Sequence, residues 1–226
     1  MSITQQLLAV KARINKACEL AKRPSQQVCL VAVSKTKPLS MVLEAYDQGH
    51  RHFGENYLQD ALEKISANPY QDIVWHFIGA VQSNKTRSIA ENFAWVHTIE
   101  REKIAQRLND QRPAELPPLK VCLQVNISSE ANKSGVSLAD LPSLAAKVNA
   151  LPRLELAGLM CIPAANQTQA KQQQAFADMA QAQQQLQQTY PQLTALSMGM
   201  SADLELAIAH GATMVRIGTD IFGARN

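Results

Sequence analysis

Short apolar runs alternate with helix-length segments along almost the whole chain, and this alternation limits the possible folds more than any other feature. Eight runs have the length and composition of buried strands: 28–33, 51–53, 73–78, 95–98, 120–126, 154–161, 195–198 and 213–217. Segments whose apolar residues recur at helical spacing fill nearly every interval between them. Strands that are apolar on both faces and alternate with helices indicate a parallel sheet covered by helices.

Eight strand–helix units in 226 residues predict an α/β fold with a single (β/α)8 barrel of the TIM type, one domain spanning residues 1–226. An extra N-terminal helix is predicted from Ser2 to about Lys22, where Ser2 and Gln5 are spaced for a capping box. We expect this helix to replace the one that would follow strand eight, because the sequence stops at Asn226. A doubly wound open sheet is the alternative, but no GxGxxG dinucleotide fingerprint follows the first strand.

The composition and charge of the chain exclude several classes of protein. With 46% hydrophobic and 18% charged residues, it has the balance of a soluble globular protein. Its 22 Lys and Arg and 19 Asp and Glu are interspersed, for a net charge of +3, so no basic tract predicts a nucleic-acid partner. Lys11, Arg13 and Lys16 interrupt the place where a signal peptide needs an apolar stretch. No apolar run approaches the roughly 20 residues of a membrane span, so no membrane association is expected.

The cysteines and histidines show no pattern of a disulfide framework or a metal site. The four cysteines are far apart and form no CxxC pair. Several histidines lie in or beside predicted strands without a carboxylate cluster to complete a metal site, and we expect ordinary strand or turn residues: His50, His52, His76 and His97. The cysteine usage predicts a reducing compartment, so the expected location is the cytoplasm. The expected state is a monomer or weak dimer.

Residues that follow strands seven and eight give the first functional indication. The functional site of a (β/α)8 barrel lies at the C-terminal ends of its strands, and these two loops often bind phosphate. Ser201 is the expected N-cap of a helix over 202–210, where backbone N–H groups favour an anion. After strand eight, Gly218 would let the backbone approach closely and Thr219 adds a hydroxyl. Each feature alone is better explained as a turn or a cap, but together they favour a phosphate site.

Lys35 gives the second indication. It follows the apolar run VCLVAV of strand one, so its stem should lie within the barrel mouth. Burial there would favour the uncharged amine that Schiff-base chemistry needs. From position alone, an exposed turn lysine within SKTKP is the alternative. A lysine that faces a phosphate site suggests a phosphorylated aldehyde or ketone, either pyridoxal phosphate or the substrate of a Schiff-base aldolase. Such an aldolase usually places its lysine on strand six, where LELAGLMCI has none.

Seven blocks of the sequence resemble one known family. They are VAVSKTKP (31–38), HFGENYLQD (52–60), WHFIGAVQSNK (75–85), NKSGV (132–136), GLMCIP (158–163), SMGMSADLELAI (197–208) and VRIGTDIFGAR (215–225). In content and order they are similar to the signature blocks of the pyridoxal phosphate homeostasis protein family. The blocks extend over nearly the whole chain, and SMGMS followed by RIGT is a specific pair.

The resemblance implies a barrel like the N-terminal domain of alanine racemase and a site for pyridoxal 5′-phosphate. Lys35 would form a Schiff base with this cofactor, and Asn56 would pack beside its ring. Ser201, Gly218 and Thr219 would hold the phosphate, and Arg216 would face the pyridine nitrogen. Because the family is linked to vitamin B6 and amino-acid balance rather than to a defined reaction, the resemblance implies a carrier and buffer without a catalytic residue. Apo enzymes that depend on pyridoxal phosphate are the implied recipients.

A permanent cation at Arg216 would affect the chemistry of the cofactor. It would keep the pyridine nitrogen unprotonated, because protonation would create a pair of like charges, and the ring would be a poorer electron sink. A salt bridge at the barrel rim is the alternative interpretation of Arg216. The alternative function is a pyridoxal-dependent amino-acid racemase. It would need a base opposite Lys35, which alanine racemase takes from a second domain, and this sequence stops about where the barrel closes.

Several loop lysines on the same face receive no firm role. Lys37, Lys85 and Lys133 follow predicted strands, where handover of the cofactor would need an acceptor amine, but exposed loop lysines are the default interpretation. The segment 82–85 matches the family blocks, but its residues suggest no chemical role.

Overall fold

Eight parallel strands form a closed barrel in which each strand pairs with the next in sequence and the last pairs with the first. The structure is a computed structural model, and it describes residues 2–128, 134–164 and 167–224. The strands are β1 Cys29–Val33, β2 His52–Glu55, β3 Val74–Phe77, β4 Trp95–Ile99, β5 Leu119–Val125, β6 Leu154–Cys161, β7 Ala195–Ser197 and β8 Met214–Ile217. The pairing of β1 with β8, where Val31 lies opposite Arg216, closes the barrel.

Helices surround the barrel and connect its strands. They are α1 Ile3–Leu20, α2 Leu39–Asp47, α3 Leu58–Ala67, α4 Thr86–Asn92, α5 Glu102–Gln111, α6 Leu141–Asn149, α7 Gln169–Gln187, α8 Leu204–Ala209 and α9 Thr219–Phe222. At the start of α1, Ser2 and Gln5 form the predicted capping box. This helix packs against α8 and α9, beside the place where a longer helix after β8 would lie. The predicted (β/α)8 barrel with an extra N-terminal helix is confirmed, and the open-sheet alternative is wrong.

Most of the hydrophobic core lies between the barrel and its helices. Phe53 on β2, Leu123 on β5 and Phe176 on α7 are fully buried in this layer. Gly158 allows β6 and β7 to approach each other, because a Cβ at this position would lie 2.0 Å from the carbonyl oxygen of Ala195. A smaller buried cluster is separate from this layer and lies inside the barrel: Cys122, Met160, Ala195 and Met214.

Three further features of the described residues bear on function. Among them, no helix combines the length and the apolar character that crossing a membrane requires. Within the same ranges, no group of three or more His, Cys, Asp or Glu side chains is arranged to hold a metal ion. All four cysteines are free, and three of them are buried.

Candidate functional site

A cavity of about 350 Å³ opens at the carboxyl ends of the strands. All six residues predicted as site residues line it, although they come from the ends of four different strands: Lys35, Asn56, Ser201, Arg216, Gly218 and Thr219. Apolar side chains that were not predicted also contribute, among them Ile78, Ile162, Met200 and Phe222. The combination of an apolar wall with a few convergent polar groups is typical of a small-molecule site.

Lys35 is half-buried in the turn that follows β1, and the backbone of this turn is tied down. Thr36 has a φ of 63°, a left-handed conformation that is unusual for a β-branched residue and needs support from its surroundings. The Thr36 N–H donates to the Asp60 carboxylate at 3.1 Å. On the other side, the Ser34 N–H donates to the Gly54 carbonyl oxygen at 3.0 Å. The turn therefore projects Lys35 into the cavity from a fixed backbone.

A buried ion pair lies behind this turn, between the barrel and α3. The Lys64 ammonium donates to Glu55 at 2.7 Å, to Asp60 at 2.9 Å and to the Ser34 carbonyl oxygen at 2.8 Å. The Ser34 hydroxyl donates to the same Glu55 oxygen at 2.6 Å. Burial raises the pKa of the Glu55 carboxyl, and the bonds from Lys64 and Ser34 oppose that rise. This cluster was not predicted from the sequence; its one signal there is a lysine on the apolar face of α3, four residues after Asp60.

Asn56 presents a buried acceptor to the cavity. Its side-chain oxygen is shielded from solvent and has no hydrogen-bond partner within the described ranges. Such an atom is costly to bury unless something donates to it. The backbone of Asn56 is fixed by Gly79, where a Cβ would lie 2.1 Å from the Asn56 carbonyl oxygen.

Ser201, Gly218 and Thr219 meet at one end of the cavity. A Cβ on Gly218 would lie 3.2 Å from the Val33 carbonyl oxygen, so this glycine lets the loop pack tightly against β1. The prediction that Ser201 caps a helix over 202–210 is wrong, because α8 begins at Leu204. Ser201 lies in the preceding turn, which the Asp203 carboxylate closes by accepting from the Met200 N–H at 2.6 Å. The serine hydroxyl is therefore not committed to a helix cap.

Arg13 of α1 holds the two loops at this end together from outside. Its guanidinium donates to the Ser201 carbonyl oxygen at 2.9 Å and to Asp220 at 2.6 Å. It also forms an ion pair with Glu205 at 2.8 Å. The extra N-terminal helix thus contributes to the site without entering the cavity, which the sequence did not predict.

Arg216 supplies a buried cation to the cavity wall. Arg216 is 5% exposed, and its guanidinium donates to Ser197 Oγ at 2.8 Å and to the Cys161 carbonyl oxygen at 3.0 Å. Burial lowers the pKa of this guanidinium, but arginine keeps its charge under all ordinary conditions. No ion pair joins it to a carboxylate of the described residues, which is unusual for a buried charge. Within the described residues, Arg216 therefore does not form the salt bridge at the barrel rim that was the alternative interpretation.

The loop lysines occupy different environments. Lys37 lines the cavity, and its ammonium donates to the Ala224 carbonyl oxygen at 2.7 Å. Lys85 is exposed at the start of α4 and does not line the cavity. Lys133 lies outside the described residues.

Comparison with known proteins identifies the class to which this barrel and its lysine-bearing cavity belong. The family model described as alanine racemase, N-terminal domain, matches residues 6–226. The pyridoxal phosphate homeostasis protein of Escherichia coli K12 is 52% identical over 229 residues, covering 99% of this chain and 97% of that protein. The protein of the same name from Pseudomonas aeruginosa is 54% identical over 225 residues, covering 100% and 96%. The chain therefore belongs to the pyridoxal phosphate homeostasis protein family, as its sequence blocks predicted.

Solved structures agree with this placement. PipY of Synechococcus elongatus, solved without PLP, has a TM-score of 0.88 and 37% identity, covering 98% of this chain and all of that one. A second PipY structure, solved with PLP bound, has a TM-score of 0.85 and 36% identity. Alanine racemase of Corynebacterium glutamicum shares only the fold, with 16% identity and a TM-score of 0.69, and this chain covers 61% of its length.

Proposed function

We propose that this chain binds pyridoxal 5′-phosphate in the cavity at the carboxyl end of the barrel, with a Schiff base to Lys35, and acts as a carrier and buffer of the cofactor. The observation that carries the proposal is the convergence of an amine, a buried guanidinium and two hydroxyls on one cavity of about 350 Å³. The names of the close relatives and the PLP-bound structure of PipY support it. We further propose that this role belongs to vitamin B6 and amino-acid homeostasis, and that the protein acts in the cytoplasm as a monomer or weak dimer.

The described residues fit each part of the cofactor. Bound pyridoxal phosphate supplies an aldehyde that condenses reversibly with an amine. Lys35 is the amine, Arg216 offers its donors to the ring nitrogen, and the unsatisfied oxygen of Asn56 gains a polar neighbour beside the ring. Ser201, Thr219 and the backbone at Gly218 enclose the phosphate. An anion among these groups also compensates the buried charge of Arg216.

Attachment to Lys35 gives the first prediction. Protein purified with its cofactor should absorb visible light, and borohydride should fix a pyridoxyl group on Lys35 of the peptide map. Lys37 is the matched control, because it lines the same cavity but its ammonium donates to the Ala224 carbonyl oxygen. Lys35→Ala should remove the adduct, whereas Lys37→Ala should keep it. An adduct found on another lysine of the wild-type protein would contradict the assignment.

The phosphate contacts give the second prediction. Ser201→Ala combined with Thr219→Ala should weaken binding of pyridoxal phosphate roughly a hundredfold or more, because each lost bond to a charged group is worth about 1.5–3 kcal/mol. Binding of pyridoxal, which lacks the phosphate, should change little. Titration of both ligands by absorbance measures the difference. An equal loss for the two ligands would mean that these hydroxyls do not contact the phosphate.

The carrier role is proposed over the racemase because Lys37 is the one candidate for a second base in the described wall of the cavity, and its ammonium is bound to the Ala224 carbonyl oxygen. Apart from Lys35 and Lys37, the residues that line it include no side chain able to exchange a proton near neutral pH. A racemase needs such a group on each face of the cofactor, and loss of one proton-transfer partner costs about 10²–10⁴-fold in rate. Arg216 also weakens the ring as an electron sink. Both features favour release of the cofactor over turnover.

Transfer of the cofactor gives the third prediction. Loaded protein mixed with an apo pyridoxal-dependent enzyme should restore the activity of that enzyme, because Lys35 lies at an open mouth where a second amine can replace it. In deuterated water, the same loaded protein should not exchange the α-proton of amino acids at a useful rate. Rapid, stereochemically defined exchange that depends on Lys35 would establish the racemase instead.

A further inference from the structure

A chain of hydrogen bonds crosses the interior of the barrel from Arg216 to the opposite side. Ser197 Oγ, which accepts from Arg216, lies 2.8 Å from His97 Nδ1. His97 Nε2 lies 2.9 Å from His76 Nδ1, and His76 Nε2 lies 3.0 Å from His52 Nδ1. We name Ser197, His97, His76 and His52 the histidine chain. Its members come from four strands that the sequence separates widely, and none of them lines the cofactor cavity.

The hydrogen-bond partners determine the direction of this chain. Arginine can only donate, so Ser197 Oγ must accept from Arg216. Among the described residues, His97 Nδ1 is the one other group within reach of the serine hydroxyl, which is fully buried. If His97 donated from Nδ1, the hydroxyl proton of Ser197 would have no acceptor in this part of the structure, at a cost that buried groups avoid.

The same reasoning extends to the next two rings. With Nδ1 accepting, neutral His97 carries its proton on Nε2 and donates to His76, and His76 donates from Nε2 to His52. All donors then point away from Arg216, and each acceptor nitrogen faces towards it. This orientation places the negative ends of the dipoles towards the guanidinium.

We propose that Ser197 and His97, supported by His76 and His52, are positioning residues that hold Arg216 as a donor towards the ring nitrogen of pyridoxal phosphate. The inference rests on the proposed cofactor site and adds to it the residues that fix its cation. A carboxylate partner would neutralise the guanidinium and compete for its protons. A neutral chain of acceptors anchors one Nη group and leaves the positive charge directed at the cavity.

The environment of the rings agrees with neutral histidines. Burial, and to a smaller extent the charge of Arg216, lower the pKa of His97 to about 3. Burial also lowers the pKa of His76 well below its ordinary value, with smaller contributions from His97, His52 and His50. A cationic ring at either position would face Arg216 through two or three hydrogen bonds, so the chain functions as an acceptor only while it is uncharged.

The test compares two ligands in matched variants of the full-length protein. The ligands are pyridoxal phosphate and its analogue with C–H in place of the ring nitrogen, and the measured quantity is the ratio of their dissociation constants. Wild-type protein should prefer pyridoxal phosphate by roughly 10- to 100-fold, the range for a hydrogen bond to a charged group. Ser197→Ala and His97→Leu should reduce the preference below about threefold while both ligands still bind. His97→Asn, whose side-chain oxygen replaces the Nδ1 acceptor, should retain most of it.

Controls separate positioning from general damage to the fold. Thr86→Val also removes a fully buried hydroxyl, but that hydroxyl donates to the Ser83 carbonyl oxygen outside the cavity, so the preference should stay at the wild-type value. Ser197→Cys keeps the volume and substitutes a weak acceptor, and it gives the same comparison if Ser197→Ala does not fold. Nitrogen-15 spectra of the imidazoles should show His76 and His97 neutral with the proton on Nε2.

Three outcomes would contradict the positioning role, the direction of the chain or the proposed function. An unchanged preference in folded Ser197→Ala and His97→Leu would overturn the positioning role. A proton on Nδ1 of His97 would overturn the direction of the chain. Wild-type protein that takes up neither ligand would overturn the proposed function itself, which the first two outcomes leave intact.

Discussion

Lys64→Met should destabilise the folded protein by about 3–5 kcal/mol, the range for breaking a buried ion pair by removing one partner. Lys64 is 4% exposed and Glu55 is fully buried, so solvent cannot replace the lost ammonium. Glu55 already has one carboxylate oxygen without a hydrogen-bond partner in the described structure. After the substitution, the other oxygen would keep only the bond from Ser34, and the carboxyl would have to bind a proton or unfold the region around it.

Denaturant unfolding at neutral pH measures this loss, and the chain offers a matched control. Lys147→Met makes the same substitution in an ion pair with Glu102 that is about half exposed on both sides. Exposed pairs contribute about 0–1 kcal/mol, so this variant should remain close to wild type. A double variant, Lys64→Met with Glu55→Leu, should recover much of the stability, because it removes the uncompensated carboxylate. A single variant as stable as Lys147→Met would show that the buried pair contributes little.

The same substitution should affect the cofactor site. Lys64 donates to the Ser34 carbonyl oxygen, and Asp60 accepts from the Thr36 N–H, so both neighbours of Lys35 depend on this cluster. The left-handed conformation of Thr36 is the strained part of the turn and the first part expected to relax. Stability and attachment of the cofactor are therefore linked through one buried ammonium.

The sequence was sufficient to predict the barrel and six polar or glycine residues that line its cavity. Apolar runs with strand composition identify the strands because a parallel barrel buries both faces, and the order of the strands follows once the sheet is closed. This rule makes residues at strand ends, such as Lys35 and Thr219, candidates for the site, although position alone leaves Lys35 open to interpretation as an exposed turn lysine. The family blocks added what position could not, namely the role expected of Arg216.

Contacts between elements distant in sequence were not predictable in the same way. Nothing in the sequence indicates a role for Arg13 at the site, yet in the structure its guanidinium joins the loop of Ser201 to Asp220. The sequence indicates which strands carry His76 and His97, but not that both side chains point into the interior of the barrel. From the sequence alone they are therefore interpreted as ordinary strand residues. Ser201 is predicted as a helix cap, but α8 begins two residues later than predicted because Asp203 closes a turn before it.

Three buried histidines also predict how stability depends on pH. Burial lowers the pKa of His50 to about 4 and that of His97 to about 3, and it lowers the pKa of His76 well below 6.5. In the unfolded chain these rings bind protons as the pH falls through about 6.5, whereas in the native barrel they stay neutral. Stability is therefore fully present above about pH 6.5 and declines as the pH falls towards the native pKa values. The buried Glu55 acts in the opposite direction, but it is one group against three.

Acidification from pH 6.5 to pH 5 should therefore cost about 3–5 kcal/mol, since each native-neutral ring contributes at most about 1.4 kcal/mol per pH unit. That loss is a large part of the 5–15 kcal/mol by which a domain is ordinarily stable. Guanidinium unfolding at several pH values gives the slope, which approaches three protons below pH 6. His97→Asn and His50→Asn should each reduce the slope by about one proton. A slope near zero between pH 6.5 and 5 would mean that these rings bind protons in the native protein over this range, and the chain of neutral acceptors behind Arg216 would then not persist below about pH 6.5.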